Sequence, residues 1–275
     1  MNIVCIGAHP DDAEWYAGGS MVLWAKKGHK VYAVSVTNGN IGHHEIEPQK
    51  LEKIRRAEAE ESARRGGYTS IVLNYPDGSL MPTLEVRHEI VALLRQLHAD
   101  IVLTHRPCDY HPDHRSCGVL VQDSAFLVTV PHFCPEVPAL YQSPFCLYMM
   151  DMFQKPIPFS PNFAVDISEA IDKKWELLDA MSSQMYEWLP WLDHQLEQVP
   201  KDIKDRKKWL QERWDSLFRM PSFYFRSLFE KELQSYNKTF EYVEFFEQCE
   251  YGRAPSRFEI AELFTLERKI SQGII

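Results

Sequence analysis

The stretch Met1-Asn2-Ile3-Val4-Cys5-Ile6-Gly7-Ala8-His9-Pro10-Asp11-Asp12 joins an unbroken apolar run to a turn carrying one imidazole and two carboxylates. The run from Ile3 to Ala8 has the length and β-branched content of a buried strand, and Pro10 ends it. With no basic n-region and no long apolar core, it is expected to be a first strand and not a secretory signal. Working outward, Gly18 to Lys27 reads as a helix and Lys30 to Thr37 as a second strand. Gln49 to Arg65 is a charged helix, Ile71 to Leu73 a short strand, Thr83 to Leu97 a helix, and Asp100 to Thr104 a fourth strand. This alternation predicts an α/β, Rossmann-like fold with a mostly parallel sheet flanked by helices on both faces.

Past residue 130 the pattern loosens. Prolines from Pro131 to Pro161 punctuate it, Phe145 to Met150 and Phe163 to Ile167 read as strands, and Ser168 to Trp188 reads as a helix with Ser168 as its cap. From Pro190 to about Phe264 aromatic and charged residues recur at helical spacing. The expected organisation is a core over residues 1–188 and a helical, aromatic-rich C-terminal elaboration over residues 189–275 packed on it. The aromatics of that segment and their neighbour Trp188, among them Trp191, Trp209, Trp214, Phe218, Phe223, Tyr224, Phe225 and Phe229, are expected mainly in the core, with a homo-oligomer contact or a lid over the site as the other uses.

Composition narrows the function classes. In 275 residues, 45% hydrophobic and 25% charged is the balance of an ordinary globular protein, and a formal charge of -9 disfavours nucleic acid and anionic membranes as partners. No apolar run approaches membrane-spanning length. The six cysteines are scattered without a CxxC pair, so reduced thiols and a cytoplasmic location are expected. Gly7, Gly18 and Gly19 do not form a GxGxxG fingerprint, because His9-Pro10 stands where the glycines are needed, and a dinucleotide site is not expected.

In parallel sheets, ligands bind at the carboxyl ends of the strands. His9 follows the first strand, and His111-Pro112-Asp113-His114 lies just beyond the fourth, so both segments open at one sheet edge. A hydrolytic zinc site usually takes three His, Asp or Glu ligands and leaves one position open. His9 and Asp12, three residues apart on a tight turn, can point at one centre, and His114 is the best third ligand. Asp11 is then free to act as a base, and His111 to donate a hydrogen bond to an oxyanion. Asp113 is left as a carboxylate behind the ligands or at a helix start.

Ala8-His9-Pro10-Asp11-Asp12-Ala13-Glu14 with Gly18-Gly19-Ser20, and then His111-Pro112-Asp113-His114, resemble the PIG-L/LmbE-like family of zinc-dependent deacetylases. Arg55-Arg56-Ala57-Glu58-Ala59, Pro76-Asp77-Gly78 and Val165-Asp166-Ile167-Ser168 extend the resemblance over roughly residues 1–188. It implies removal of an acetyl group from an N-acetylglucosaminyl substrate, with Zn2+, or another divalent metal such as Fe2+, held by His9, Asp12 and His114. It implies the same roles for Asp11 and His111, and contact of Arg55 and Asp77 with sugar hydroxyls. Tyr16 stands where the family usually has a small residue, and its ring is expected to narrow the pocket or cover one sugar face. The other readings are an amidase of larger thiol-sugar conjugates and a non-catalytic, metal-containing sugar-binding protein.

Overall fold

A computed structural model describes residues 1–233 and 239–268. Its strands are β1 (Asn2–Gly7), β2 (Lys30–Thr37), β3 (Thr69–Tyr75), β4 (Ile101–Thr104), β5 (Phe145–Met149), β6 (Phe163–Asp166), β7 (Val243–Cys249) and β8 (Leu266–Glu267). They form one sheet in the order β3-β2-β1-β4-β5-β7-β6-β8. From β3 to β5 the pairings are parallel, and from β5 through β7 and β6 to β8 they are antiparallel. The helices are α1 (Asp12–Lys26), α2 (Pro48–Gly66), α3 (Leu84–Gln96), α4 (Pro112–Leu127), α5 (Ile171–Asp179), α6 (Leu189–Leu192), α7 (Ile203–Tyr224), α8 (Glu230–Leu233) and α9 (Arg257–Leu263).

From Ile3 to Ile6 the first strand is apolar because both of its faces are covered. Ile3 and Cys5 pack with Ala17, Met21 and Trp24 of α1 and Leu177 of α5. Val4 and Ile6 pack with Ile90 and Leu94 of α3 and Leu120 of α4 on the other side. Since β1 pairs with both β2 and β4, the strand order reverses direction at β1 and β4, and a crevice opens where the two chains leave the sheet. His9 leaves β1 and His105 leaves β4 at that crevice.

Several elements differ from the sequence reading. The first helix begins at Asp12 and not at Gly18, so the HPDD turn runs straight into it. Ser168 is not a helix cap: its N–H and hydroxyl both donate to Asp166 Oδ1, at 3.1 and 2.6 Å, and α5 starts after Ala170. The expected single helix to Trp188 stops at Asp179, and Ser183–Trp188 resumes as a π-helix. Beyond residue 189 the chain is helical through α7 and then returns as β7, which inserts between β5 and β6. Residues on both sides of position 188 thus contribute strands to the same sheet. The aromatics of this segment go to different places: Phe225 and Phe229 are buried, Trp209, Trp214 and Phe218 pack against a small core around Trp175 and Leu210, and Phe223 and Tyr224 are exposed.

Candidate active site

Two close backbone approaches build the crevice. A Cβ on Gly7 would lie 2.5 Å from Asp12 Cβ, so glycine lets the start of α1 fold back over the end of β1. The Asp12 carboxylate closes this turn by accepting from His9 N at 2.7 Å. On the other side, a Cβ on Gly118 would lie 2.6 Å from His105 O, so α4 sits against the backbone that leaves β4. His105 and His114 then stack, with ring centroids 4.0 Å apart and planes 8° from parallel. Pro112 occupies the first turn of α4, and His111 caps it, its Nδ1 accepting from Asp113 N at 3.2 Å.

His9, Asp12 and His114 converge. His9 Nδ1 is 3.2 Å from His114 Nε2 and 3.4 Å from Asp12 Oδ2, and His114 Nε2 is 3.4 Å from Asp12 Oδ1. The far side of each ring faces a carboxylate: His9 Nε2 lies 3.1 Å from Asp77 Oδ1 and 3.4 Å from Asp113 Oδ2, and His114 Nδ1 lies 3.1 Å from Asp109 Oδ1. Carboxylates at these distances favour the ring protons on the outer nitrogens, which leaves two lone pairs facing inward beside the Asp12 carboxylate. Three such donors facing one another call for a cation, and an N/N/O set suits a divalent metal. The outer carboxylates are themselves fixed, Asp113 by Gly78 N at 2.6 Å and Leu80 N at 3.1 Å.

Potential ligand atoms also group as His9, His111 and His114, as Asp12, His105 and His114, and as His9, Asp77 and Asp113. These groupings fit less well. His111 Nδ1 accepts a backbone N–H, so its neutral ring carries the proton on Nε2, which is then a donor and not a ligand. His105 Nε2 is 3.0 Å from Asp12 Oδ2 and within reach of Ala8 N, behind the carboxylate and away from the cavity. Asp77 and Asp113 lie on the far nitrogen of His9.

Charge follows this arrangement. Burial alone would raise the pKa of Asp12, but the His114 and His105 imidazoles outweigh it and hold the carboxyl well below its usual range. Burial alone would lower that of His114, but Asp12 and Asp109 raise it to about 9. His9 is likewise raised against burial, by Asp113, Asp12 and Asp77. The His9 and His114 imidazoles therefore hold their second proton more tightly than a free histidine does, and Asp12 stays ionised between them. Burial raises Asp11 even though Arg55 Nη2 stands 3.1 Å from its Oδ1. Burial, together with the His9 and His114 charges, lowers His111.

Of the sequence-predicted residues, His9, Asp11, Asp12, Tyr16, Arg55, Asp77, His111 and His114 all line one cavity of about 430 Å³. The two residues expected on sugar hydroxyls have partners within the protein. Arg55 donates to Pro10 O at 3.0 Å besides meeting Asp11, and Asp77 backs His9. Tyr16 stands edge-on to His105 at 5.6 Å, between this cavity and a second, smaller one that it shares with Trp15 and Tyr110. The sequence reading did not identify His105 or Asp109. His105 follows a strand at the productive edge just as His9 does, and that position was the available signal. Asp109 lies in a turn without helical or strand period, so nothing local marks it.

Residues 4–125 match the model of the PIG-L family, described as GlcNAc-PI de-N-acetylase. The chain is similar to diacetylchitobiose deacetylase of Thermococcus kodakarensis, 29% identical over 201 residues covering 69% of this chain and 74% of that protein. A solved structure of N,N'-diacetylchitobiose deacetylase from Pyrococcus horikoshii, in complex with an inhibitor, superposes with a TM-score of 0.70. It is 26% identical, over 90% of this chain and 84% of that one. The chain is also 23% identical to 4-oxalmesaconate hydratase of Pseudomonas putida over 66% of this chain and 74% of that protein.

Proposed function

We propose that this chain, whose residues 4–125 carry a PIG-L domain, is a metal-dependent hydrolase that removes the N-acetyl group of an N-acetylglucosamine-type sugar. The convergence of His9 Nδ1, His114 Nε2 and Asp12 within 3.4 Å of one another, each imidazole backed by carboxylate, is the observation that carries this reading. The similarity to two diacetylchitobiose deacetylases supports the substrate class. His9, Asp12 and His114 are the residues that would hold zinc, or ferrous iron in its place. When bound, such an ion makes water easier to deprotonate and polarises an amide carbonyl.

Asp11 lies in the same cavity, free of the ligand cluster and held by Arg55, so its carboxylate takes the proton of the attacking water. Its raised pKa suits a group that must accept that proton and then give it to the departing amine. His111 stays neutral and carries its proton on Nε2, so it donates to the oxyanion that forms on the acetyl oxygen. Arg55 orients Asp11, and Arg55 and Asp77, both lining the cavity, also contact sugar hydroxyls. A cytoplasmic setting is in keeping with six free thiols. Among the described residues, no helix is long and apolar enough to cross a membrane.

The test is release of acetate from a panel of N-acetylated hexosamines by the zinc-reconstituted protein. Asp11→Asn should lose nearly all turnover while keeping its zinc, and His114→Ala should lose the zinc itself. A zinc-loaded, folded protein that binds these sugars and releases no acetate would overturn the reading in favour of a binding protein.

A further inference from the structure

The cavity has two unlike walls. Opposite the ligand cluster, Met185, Trp188, Leu189 and Leu192 form an apolar side without a charged group among them. Trp188 is the inner end of a ring stack. It lies parallel to Trp191 at 5.3 Å and 13°, Trp191 lies on His44 at 4.9 Å and 7°, and His44 lies on His43 at 4.6 Å and 16°. His43 is anchored by Glu187 at 2.9 Å.

The backbone beneath the stack is fixed as well. The π-helix Ser183–Trp188 is clamped to α2, because Glu58 accepts from Ser183 N and Oγ, both at 2.6 Å. Gln184 Nε2 reaches across to Gly42 O at 3.0 Å. A π-helical turn is uncommon and is frequently found at functional sites. Trp191 is left 42% exposed, although a ring of that size would be better buried if it served only packing.

Held rings beside a polar catalytic wall match the two sides of a pyranose, which has an apolar C–H face and a rim of hydroxyls. The geometry points to Trp188, backed by Trp191 and His44, as the platform for a second, neutral sugar ring linked to the one being deacetylated. The preferred substrate is then a di- or oligosaccharide of N-acetylhexosamine and not the monosaccharide. Because the rings are already stacked and anchored, little side-chain freedom is lost when a sugar docks.

This inference rests on the deacetylase reading, so its test has one arm that does not need turnover. In the catalytic arm, wild type, Trp188→Ala and Trp188→Phe are compared on N-acetylglucosamine and N,N'-diacetylchitobiose by acetate release. Trp188→Ala should lower the disaccharide-to-monosaccharide ratio of kcat/KM at least about tenfold, and Trp188→Phe, which keeps a ring, should restore most of it. In the binding arm, N,N'-diacetylchitobiose is titrated against tryptophan fluorescence in the Asp11→Asn background, which keeps its zinc with almost no turnover, and its affinity should fall on adding Trp188→Ala by a similar factor. Equal losses on both substrates, or unchanged disaccharide affinity, would overturn the platform. Ring-dependent disaccharide binding with no acetate released from any sugar would uphold the platform and sink the deacetylase reading instead.

Discussion

Asp109→Asn isolates the effect of a charge behind His114, the proposed metal ligand. The carboxylate is almost fully buried, with Oδ1 3.1 Å from His114 Nδ1, and it also accepts the His111 N–H at 2.9 Å. Asparagine has the same size and can still accept from His111 N, so the cap of α4 survives while the charge facing His114 disappears. A hydrogen bond to a charged group is worth about 1.5–3 kcal/mol, against about 1 for a neutral one, so the loss at the metal is about 1–2 kcal/mol. At ~1.4 kcal/mol per factor of ten, the zinc dissociation constant rises roughly 5- to 30-fold, overlapping the lower part of the range of about 10- to 100-fold found for outer carboxylates.

The assay is competition with a chromogenic chelator across a pH series, with thermal melting of the metal-free protein as the control for folding. Apparent affinity climbs as the pH rises towards the value of about 9 to which Asp12 and Asp109 raise His114, because the ligand must lose its proton first. In the variant that value is lower, which recovers part of the loss at low pH and leaves the full loss at high pH. An unchanged dissociation constant at high pH in a folded variant would refute the reasoning. So would a loss greatest at low pH.

Glu14 is buried behind the site with its carboxyl pushed up to about 7 by desolvation, against the hydrogen bond donated by the Tyr68 hydroxyl at 2.8 Å. Between its ordinary value and 7 the folded state holds a proton that the unfolded chain has lost, so stability falls as pH rises through that window and then levels off. Glu14→Gln should remove roughly 3 kcal/mol of this decline, seen as a smaller gap between denaturation midpoints at pH 5 and pH 8; an unchanged gap would mean Glu14 ionises freely. Asp151 grips the buried Arg106 through two 2.6 Å contacts, and Asp151→Ala should cost about 3–5 kcal/mol in urea unfolding, with the pair Asp151→Leu and Arg106→Met recovering most of it. Gly118→Ala pushes a methyl into His105 O, and should cost about 1–3 kcal/mol and weaken zinc binding together; a stability loss with zinc affinity intact would separate the helix seat from the metal centre.

The parallel half of the fold was legible because each of its strands and helices carries its own period. Ile3 to Ala8 is apolar on both faces, and Lys30 to Thr37 was placed to the residue. The antiparallel half was less so. Val243–Cys249 sits in a stretch of aromatics and acids that also fits a helix, and only pairing with β5 and β6 makes it a strand. Ser168 has a cap's identity, but its hydroxyl is engaged by Asp166 instead.

At the site, the sequence by itself determined the donor types and their grouping, because HPDD and HPDH each fit on one turn and local geometry fixes what a turn can present. Which nitrogen of each imidazole faces inward was decided only by the tertiary structure. Asp77 and Asp109 from two loops and Asp113 from the first turn of α4 hold His9 and His114, and the α4 cap sets the proton of His111. The same holds for the apolar wall: Trp188 looks like a core residue in a helical pattern, and a π-turn clamped by Glu58 carries it to the cavity with Trp191 stacked on it. Tautomer and ring placement depend on contacts between residues far apart in the chain, and spacing along the chain carries no record of those contacts.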